Sequence, residues 1–298
     1  MKKQIGLPIF LSLSIGMMAL LSDAQTKGDF QEVEHILGSS GQMQEGAMIF
    51  PFPRSDLSVM IHGEKIPTAF GFGSWTAWKI MGSETMVMGD LVLLENEINP
   101  VISALTEENI KVTALHNHFL GEKPRIMYMH ILGTGQAEAL ARGIRRALDK
   151  TETPRSQPAP TSASLAIDTK RIEAIIGHPG HAGGGIFKIV VGRPGVRAHG
   201  MELTSSMGLN SWIAFIGTSD RARVAGDMAM AANEVNPVIR ALRKHGVKIL
   251  AVHNHMLDEE PRIFFLHYWG TGKAENLARA FRDALAQMKK QEGLEKRP

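Results

Sequence analysis

The chain of 298 residues contains no cysteine. This absence excludes disulfide bonds, thiolate zinc sites and cysteine nucleophiles, so any metal would have to be held by nitrogen and oxygen atoms. Neither sign of charge dominates, because 33 Lys and Arg stand against 30 Asp and Glu, for a formal net charge of +3. Such a small excess does not indicate a nucleic-acid partner. What the chain does contain is 12 histidines, which makes imidazole its most conspicuous reactive group.

The first 24 residues have the pattern of an export signal. Lys2 and Lys3 precede a mostly apolar run from Ile5 to Leu21, and Ala24 follows at a position suited to a signal peptidase. We expect cleavage near Ala24. Because no second hydrophobic run follows, the mature protein is predicted to be periplasmic or secreted, with no transmembrane anchor.

The rest of the chain is an internal duplication. A shift of 137 positions aligns Gly46–Leu148 with Gly183–Leu285 without a gap, with about 40% of the aligned residues identical. The stretch between the copies is rich in Pro, Ser and Thr, a composition typical of an exposed linker. We therefore expect an organisation of signal peptide 1–24, first unit 28–150, linker 151–165, second unit 166–290 and charged tail 291–298.

Each unit has the pattern of a mixed α and β fold. Residues with high β propensity, bounded by Gly, Ser and Pro, predict five strands in the first unit. These strands are Ile49–His62, Ala69–Ile80, Met86–Leu94, Lys111–His118 and Arg125–Leu132.

Two helices accompany these strands. Asn99, followed by a proline, resembles an N-cap and predicts a helix over Val101–Glu108, and apolar residues recur with helical period over Ala137–Leu148. The second unit repeats the plan, with a cap at Asn236 and a closing helix over Lys273–Met288. The predicted fold class is α+β, with one mostly antiparallel sheet per unit, helices on one face, and a pseudo-twofold relation between the units.

The densest group of polar residues occurs once in each unit. His116 and His118 flank an asparagine and project from the same face of a strand, because side chains two residues apart do so. A returning strand carries His130, which an even-sum register would place opposite Ala114 on that face. An odd-sum register would place it on the other face. The second unit repeats these histidines as His253, His255 and His267.

Glutamates near the histidines could complete a nitrogen and oxygen ligand set for zinc, manganese, iron or copper. Glu97 and its counterpart Glu234 are assigned as ligands beside the six histidines. Glu122 and Glu259 are assigned as general bases that activate a metal-bound water. The sequence leaves open whether Glu97 or Glu122 is the ligand.

Three further residues extend the hypothesis to catalysis. Arg125 and Arg262 could clamp a carboxylate or phosphate, or serve as solvated structural arginines. Tyr128, which is Phe265 in the second unit, could abstract a proton in a lyase that uses no metal.

Other duplicated residues are given structural interpretations. Asp90 and Asp227 each follow a glycine within a predicted strand or tight turn, and turn chemistry is favoured over a catalytic role. Trp75 and Trp212 are interpreted as core, although a tryptophan exposed beside the histidines would favour a carbohydrate ligand. The glycine-rich stretch Gly183–Gly185 is not followed by Lys-Ser or Lys-Thr, so no nucleotide cofactor is expected.

One phrase of the sequence resembles a known family. Ala-Leu-His-Asn-His, then Pro-Arg-Ile and a histidine before Gly-Thr-Gly, stand at 114–135 and recur with one substitution in the first phrase through Gly272. They resemble the LppY/LpqO family of secreted bacterial proteins, and the resemblance covers both units. It implies an exported bacterial protein but names no reaction, because that family is a domain of unknown function. Its namesakes are lipoproteins, and this chain lacks the cysteine that would carry the lipid.

Three hypotheses follow. In the first, an exported two-unit protein binds a divalent metal and performs metal-assisted hydrolase or lyase chemistry on a cell-envelope or sugar-like substrate. The second is a module that binds a glycan or peptidoglycan fragment without metal. The third is the metal-free His/Tyr lyase. The sequence does not indicate the oligomeric state, or whether the two units form one shared site or two.

Overall fold

The computed structural model describes residues 29–155 and 165–295, with side chains up to residue 288. The predicted export signal at 1–24 lies outside these residues. Within the described part of the chain, no helix combines the length and the apolar composition that a membrane crossing requires.

The first unit is built on a six-stranded antiparallel sheet. The strands of the unit are β1 (Gln42–Gln44), β2 (Ala47–Pro53), β3 (Met60–Ile61), β4 (Glu64–Lys65), β5 (Gly73–Met81), β6 (Glu84–Leu94), β7 (Lys111–His116), β8 (Glu122–Lys123) and β9 (Ile126–Gly135). The main sheet has the order β1-β2-β5-β6-β9-β7, and β4-β3-β8 form a smaller sheet. Every neighbouring pair in the main sheet is antiparallel.

The second unit repeats this sheet. Its strands are β10 (Gly180–Gly183), β11 (Ile186–Gly192), β12 (Arg197–Ala198), β13 (Met201–Glu202), β14 (Asn210–Gly217), β15 (Ala222–Ala231), β16 (Lys248–His253) and β17 (Ile263–Gly272). The main sheet has the order β10-β11-β14-β15-β17-β16, which is the order of the first unit, and β12 pairs with β13 outside it. The predicted tandem duplication and α+β class are confirmed.

Helices cover one face of each sheet, as predicted. They are α1 (Gln31–Leu37), α2 (Ile98–Glu107), α3 (Ala137–Leu148), α4 (Thr169–Ile176), α5 (Val235–Lys244) and α6 (Ala274–Glu295), with single 3-10 turns at Thr68–Phe70, Glu95–Glu97 and Ser205–Met207. α6 continues beyond Met288, where the sequence pattern ended it.

The central strands are buried on both faces. In β6, Val87 and Leu91 point into the core beneath the helices. The alternate residues Met88 and Val92 point the other way, into clusters that contain residues of both units. Since successive side chains of a strand alternate between faces, each sheet has one face for its own helices and one face for the other unit.

The two inner faces pack against each other reciprocally. Met207, which lies between β11 and β14, is buried in a cluster with Met88 of the first sheet. Phe70, at the corresponding place between β2 and β5, is buried with Ala214 and Trp269 of the second sheet. Each unit therefore contributes an excursion of its chain to cover the sheet of the other, which is the expected pseudo-twofold arrangement.

Two local predictions are wrong. α2 and α5 begin one residue before Asn99 and Asn236, so these asparagines lie inside the first helical turn and are not caps. The residue before α2 is Glu97. Its carboxylate accepts a hydrogen bond from the backbone amide of Leu94, so a glutamate, and not the asparagine, supplies the side-chain acceptor at this end of the helix. The predicted strand Ile49–His62 is also interrupted, because β2 ends at Pro53 and β3 begins at Met60.

Candidate metal centre

The register of the outer strands decides where the histidines point. Ala114 of β7 lies opposite His130 of β9, and Ala251 of β16 lies opposite His267 of β17. This is the even-sum register, so His116 and His130 share the inner face of the first sheet. Of the two registers that the sequence left open, the structure has the one that brings the histidines together.

The histidines of both units form one group between the sheets, which we call the histidine cluster. It comprises His116, His118, His130, His253, His255 and His267. The ring centroids of His116 and His253 are 3.4 Å apart, those of His118 and His267 are 3.5 Å apart, and those of His130 and His255 are 3.7 Å apart. Each of these pairs joins one unit to the other, so the two repeats share a single site.

Most ring nitrogens of the cluster lack a partner. Among the residues that the structure describes, the Nε2 atoms of all six histidines are buried and make no hydrogen bond, and neither do the Nδ1 atoms of His116 and His267. Leaving a buried polar atom unsatisfied costs about 1–3 kcal/mol. A cluster of such atoms therefore points to a bound group that supplies the missing interactions.

Four of the histidines have the arrangement of a metal site. His116, His253, His255 and His267 each offer one ring nitrogen, and these four atoms lie within 4.8 Å of one another. In a tetrahedral zinc site the ligand nitrogens would be about 3.3 Å apart, since zinc–nitrogen bonds are about 2.0–2.1 Å long. The four atoms would therefore have to move inward to hold one ion.

Burial keeps the imidazoles in the neutral form. It lowers the pKa of His253 to about 4, and burial together with the neighbouring imidazoles holds the pKa of His116 well below its usual value. The same causes lower the pKa of His118 and His255. Neutral imidazole is the form that binds metal ions.

Two aspartates that sequence analysis assigned to turns belong to this site. Asp90 lies in the middle of β6 opposite His130 of β9, and Asp227 lies in the middle of β15 opposite His267 of β17. The turn interpretation is therefore wrong.

The glycine before each aspartate has a packing role. A Cβ atom on Gly226 would lie 2.3 Å from the carbonyl oxygen of Trp212, and one on Gly89 would lie 2.7 Å from that of Trp75. The glycines allow the neighbouring strand to approach closely. The Gly-Asp pair occurs in both units, and this repetition is the sequence signal that could have identified the aspartates as site residues. A glycine before an aspartate is also typical of turns, which is why the pair indicated a turn.

The aspartates bring carboxyl groups to the histidines. Asp227 Oδ2 is 3.9 Å from His255 Nε2, and Asp227 Oδ1 is 3.9 Å from His267 Nδ1. Asp90 Oδ1 is buried and has no hydrogen-bond partner in the described part of the chain. Burial raises the pKa of Asp90 to about 8 and that of Asp227 well above its usual value. A bound cation would stabilise the ionised form of both carboxyl groups.

Glu97 and Glu234, which the sequence assigned as metal ligands, have other partners. The guanidinium of Arg54 binds both carboxylate oxygens of Glu97, at 2.7 and 3.0 Å. In the second unit Arg193 donates to one carboxylate oxygen of Glu234, at 2.5 Å. These buried ion pairs tie the end of an inner strand to the start of a helix. The shift between Arg54 and Arg193 is 139 positions, so the ungapped alignment at 137 did not pair them.

The predicted general bases lie just before β9 and β17, Glu122 in the short strand β8 and Glu259 in a loop. The Oε1 atom of Glu122 accepts the amide of Ile126 at 3.3 Å, and its guanidinium neighbour Arg125 is half-exposed at 3.7 Å. Glu259 and Arg262 repeat this arrangement, with 3.5 Å between carboxylate and guanidinium. The structure thus places each predicted base beside its predicted anion clamp. Both glutamates are buried, and their Oε2 atoms make no hydrogen bond among the described residues.

Tyr128 contributes its ring to the wall of the cluster. The ring stacks on His118 with 3.3 Å between centroids, and its hydroxyl donates to the carbonyl oxygen of Gly71 at 2.9 Å. Phe265 stacks on His255 at the same distance. Burial raises the pKa of Tyr128 well above its usual value. A hydroxyl held in this way is a poor proton acceptor, which counts against the metal-free lyase.

A cleft of about 1090 Å³ connects the cluster to solvent. Its lining includes His118 and His255 of the cluster and both aspartates, Asp90 and Asp227. The half-buried Trp75 and Trp212 also line it, so the tryptophans that were interpreted as core have faces toward the cleft.

Two stretches of the chain, 31–150 and 170–287, match the model described as Domain of Unknown Function (DUF1259). No curated protein sequence matches the chain. Among solved structures, the trimeric bacterial microcompartment shell protein PduB is 12% identical, with 87% of this chain and 95% of that chain covered and a TM-score of 0.25. EtuB from Clostridium kluyveri is 11% identical, with 84% and 92% covered and a TM-score of 0.21. Similarities this weak carry no functional argument.

Proposed function

Because the chain belongs to the family of the domain of unknown function DUF1259, whose description names no activity, we propose its function from the histidine cluster. The protein binds a divalent transition metal between its two units. The ligands are His116 of the first unit with His253, His255 and His267 of the second. The observation that carries the proposal is the approach of their four ring nitrogens to within 4.8 Å of one another.

The surroundings of these histidines support a cation. The imidazoles are neutral, and their Nε2 atoms are buried without hydrogen bonds among the described residues. Two carboxyl groups, those of Asp90 and Asp227, lie beside them and are buried as well. A divalent ion would balance two carboxylates. Nitrogen and oxygen donors of this kind suit zinc, manganese, iron and copper.

The reaction class we propose is metal-assisted hydrolysis or elimination on a cell-envelope or sugar-like substrate. The support is the cleft, which leads from solvent to the cluster, together with an unpartnered oxygen on Asp90 at its floor. A bound metal ion supplies Lewis-acid polarisation of a substrate oxygen. Asp90 replaces Glu122 as the proposed proton acceptor, because Asp90 lines the cleft and Glu122 is not among the residues that do.

We also propose that the protein is exported to the periplasm or beyond, and that its repeated domain is the one found in LppY/LpqO proteins. The support for export is the pattern of Lys2, Lys3 and the apolar run that follows. The support for the family name is the repeated His-Asn-His phrase.

Metal analysis of the purified full chain tests the proposal. After dialysis against metal-free buffer, the protein should retain a transition metal or recover one when zinc, manganese, iron or copper is added. His253→Ala and His267→Ala should weaken metal binding at least about tenfold. His181→Ala is the matched control, because His181 is exposed on β10 at the far edge of the sheet.

A negative result is equally clear. Less than about a tenth of an equivalent of any transition metal, with no recovery on addition of the four ions, contradicts metal binding. Equal losses in the His253→Ala and His181→Ala variants contradict the assignment of the ligands.

A further inference from the structure

We infer that the cleft above the histidine cluster binds an acidic carbohydrate, and that Lys188 recognises the anionic group of this ligand. The inference deepens the proposed function and rests on it in one respect, since it takes the histidine cluster as the floor of the cleft. The residues that would recognise the carbohydrate are Trp75, Lys188 and Trp212, which line the walls.

The size of the cleft indicates an extended ligand. Its volume of about 1090 Å³ is just above the usual range for small-molecule sites, about 300–1,000 Å³. A site for a lone ion or a single small metabolite would need far less space. The lining combines hydroxyl and amide side chains with exposed backbone at several glycines, so a ligand with many hydroxyl groups would find partners along it.

The tryptophans give the cleft flat apolar surfaces. Trp75 and Trp212 occupy equivalent positions in the two units, and both line the cleft. Trp75 reaches across to the second unit, where a Cβ atom on Gly208 would lie 3.1 Å from its ring. Aromatic rings with one exposed face suit the C–H faces of pyranose rings, while the polar groups around them suit the hydroxyls. Carbohydrate is the class of ligand that needs both.

Lys188 places a cation at a position where the first unit has an apolar residue. In the second sheet Lys188 of β11 lies opposite Ala214, and in the first sheet Ile49 of β2 lies opposite Ala77. Ala77 and Ala214 are equivalent in the repeat, so Lys188 stands where the other unit has the apolar Ile49. This lysine is a departure from the symmetry that the histidines and tryptophans keep.

The amino group of Lys188 is held in place and remains available. It lies 4.2 Å from the centre of the Trp212 ring, within the range of a cation–π contact. Within the described chain it forms no salt bridge with a carboxylate. Burial lowers the pKa of Lys188 to about 8, while Asp227 opposes the shift, so the group is still mostly charged at neutral pH. A carboxylate on a sugar that stacks on Trp212 would meet this charge.

The charges of the whole cleft favour carboxylates on a sugar chain over the continuous row of phosphates of a nucleic acid. Its other lysine is Lys65, which is exposed, and the lining also includes the acidic Glu45, Asp90 and Asp227. A nucleic acid would need a row of cations along its backbone. A neutral glycan would leave Lys188 without a counter-charge. An oligosaccharide that carries carboxylates fits both the walls and the charge.

The experiment compares tetragalacturonate with its methyl ester, which has the same backbone and no charge. Binding to the metal-loaded full chain is measured by calorimetry and by tryptophan fluorescence. The acid should bind at least about tenfold more tightly than the ester, because a hydrogen bond to a charged group contributes about 1.5–3 kcal/mol. Lys188→Met should remove this preference, and Trp212→Ala should weaken the binding of both the acid and the ester. Lys170→Met, at an exposed lysine of α4, is the matched control and should change nothing.

Several outcomes would overturn the inference. They are equal binding of acid and ester, a preference that survives Lys188→Met, and no binding of tetragalacturonate, of a hyaluronan tetrasaccharide or of their neutral forms at millimolar concentration. The metal content of the same samples is measured in parallel. If the protein holds no metal but prefers the acid, the proposed function is contradicted and this inference stands. If the protein holds metal but binds acid and ester equally, this inference is contradicted and the proposed function stands.

Discussion

Buried polar residues in this protein fall into two groups that differ in their partners. Arg54 is fully buried, and its guanidinium binds Glu97, Asp56 and the carbonyl oxygen of Val92. The imidazoles of the histidine cluster are buried too, yet their Nε2 atoms have no protein partner among the described residues. The first group has partners within the chain and stabilises the fold. The second lacks them, and under the proposed function a bound metal ion would supply them.

Glu97→Ala separates these two roles. Removing the carboxylate leaves the Arg54 guanidinium buried beside the remaining Asp56, so the free energy of unfolding should fall by about 3–5 kcal/mol. Metal content should stay unchanged, because Glu97 is committed to Arg54. Urea denaturation and metal analysis of the same sample measure the two effects.

Glu95→Ala is the control, since Glu95 is exposed in the same 3-10 turn and should alter stability by less than about 0.5 kcal/mol. A Glu97→Ala variant that lost its metal while keeping its stability would instead restore Glu97 as a ligand.

Among the individual residues of the candidate site, the sequence identified the histidines but not the aspartates. Repetition made the histidines conspicuous, and residue spacing placed His116 and His118 on one face. Asp90 and Asp227 were equally repeated. A glycine before an aspartate is typical of turns, but it also occurs in a strand whose neighbour comes too close for a side chain. Choosing between these requires the neighbouring strand, which is far away in sequence.

The outer strands of the two sheets meet near the cluster through contacts that are not symmetric. Thr113 of β7 donates to the carbonyl oxygen of His255 at 2.5 Å, and the Asn254 amide donates to the carbonyl oxygens of Thr113 and Met256. In the first unit the amide of Asn117 donates to the carbonyl oxygen of Phe119. Leu250, at the position that corresponds to Thr113, has no hydroxyl to repeat the contact.

Asn254→Ala should therefore be more harmful than Asn117→Ala. The first substitution removes the bond between the two units as well as the local one, and should lower the free energy of unfolding by about 1 kcal/mol more than the second. Urea denaturation of both variants measures the difference. Equal losses would mean that the contact between β7 and the second unit contributes nothing to stability.

Strands and helices were mostly predictable from local patterns, and their register was not. Hydrophobic patterning located β6, β7 and β9 within a few residues. The parity of the pairing between β7 and β9 decides whether His130 faces His116, and it depends on the loop between the strands and on a bulge between Val112 and Ala114. Neither leaves a clear signal in the residues of the strands.

For the whole molecule, the shared site makes the two units dependent on each other. The proposed ligands come from both units, and each inner sheet face is covered by residues of the other. Fragments 29–155 and 165–295, expressed separately, should bind metal at least about tenfold more weakly than the full chain. Expressed together, they should associate and recover binding.

Metal titration of each fragment, and size-exclusion chromatography of the co-expressed pair, measure these outcomes. The full chain is the reference in both. A separate fragment that binds metal as tightly as the full chain would contradict a shared centre.

The duplication was visible in the sequence, whereas the sharing of one site was not. Aligned repeats indicate two similar units, but the alignment contains no information on which faces meet. The contact between the units depends on the apolar inner faces of the two sheets, which include Met88 and Ala229. It also depends on the segments around Phe70 and Met207 that cover these faces, and only the structure of both units together identifies them.

The departure of Lys188 from the symmetry of the repeat has a consequence for the direction of a bound chain. A site with true twofold symmetry would accept an oligosaccharide equally well with either end first. Here one wall has a lysine where the other has Ile49, and one histidine stacks on Tyr128 where its counterpart stacks on Phe265. Two copies joined in one chain can therefore distinguish the two ends of a ligand, which a dimer of identical subunits cannot do.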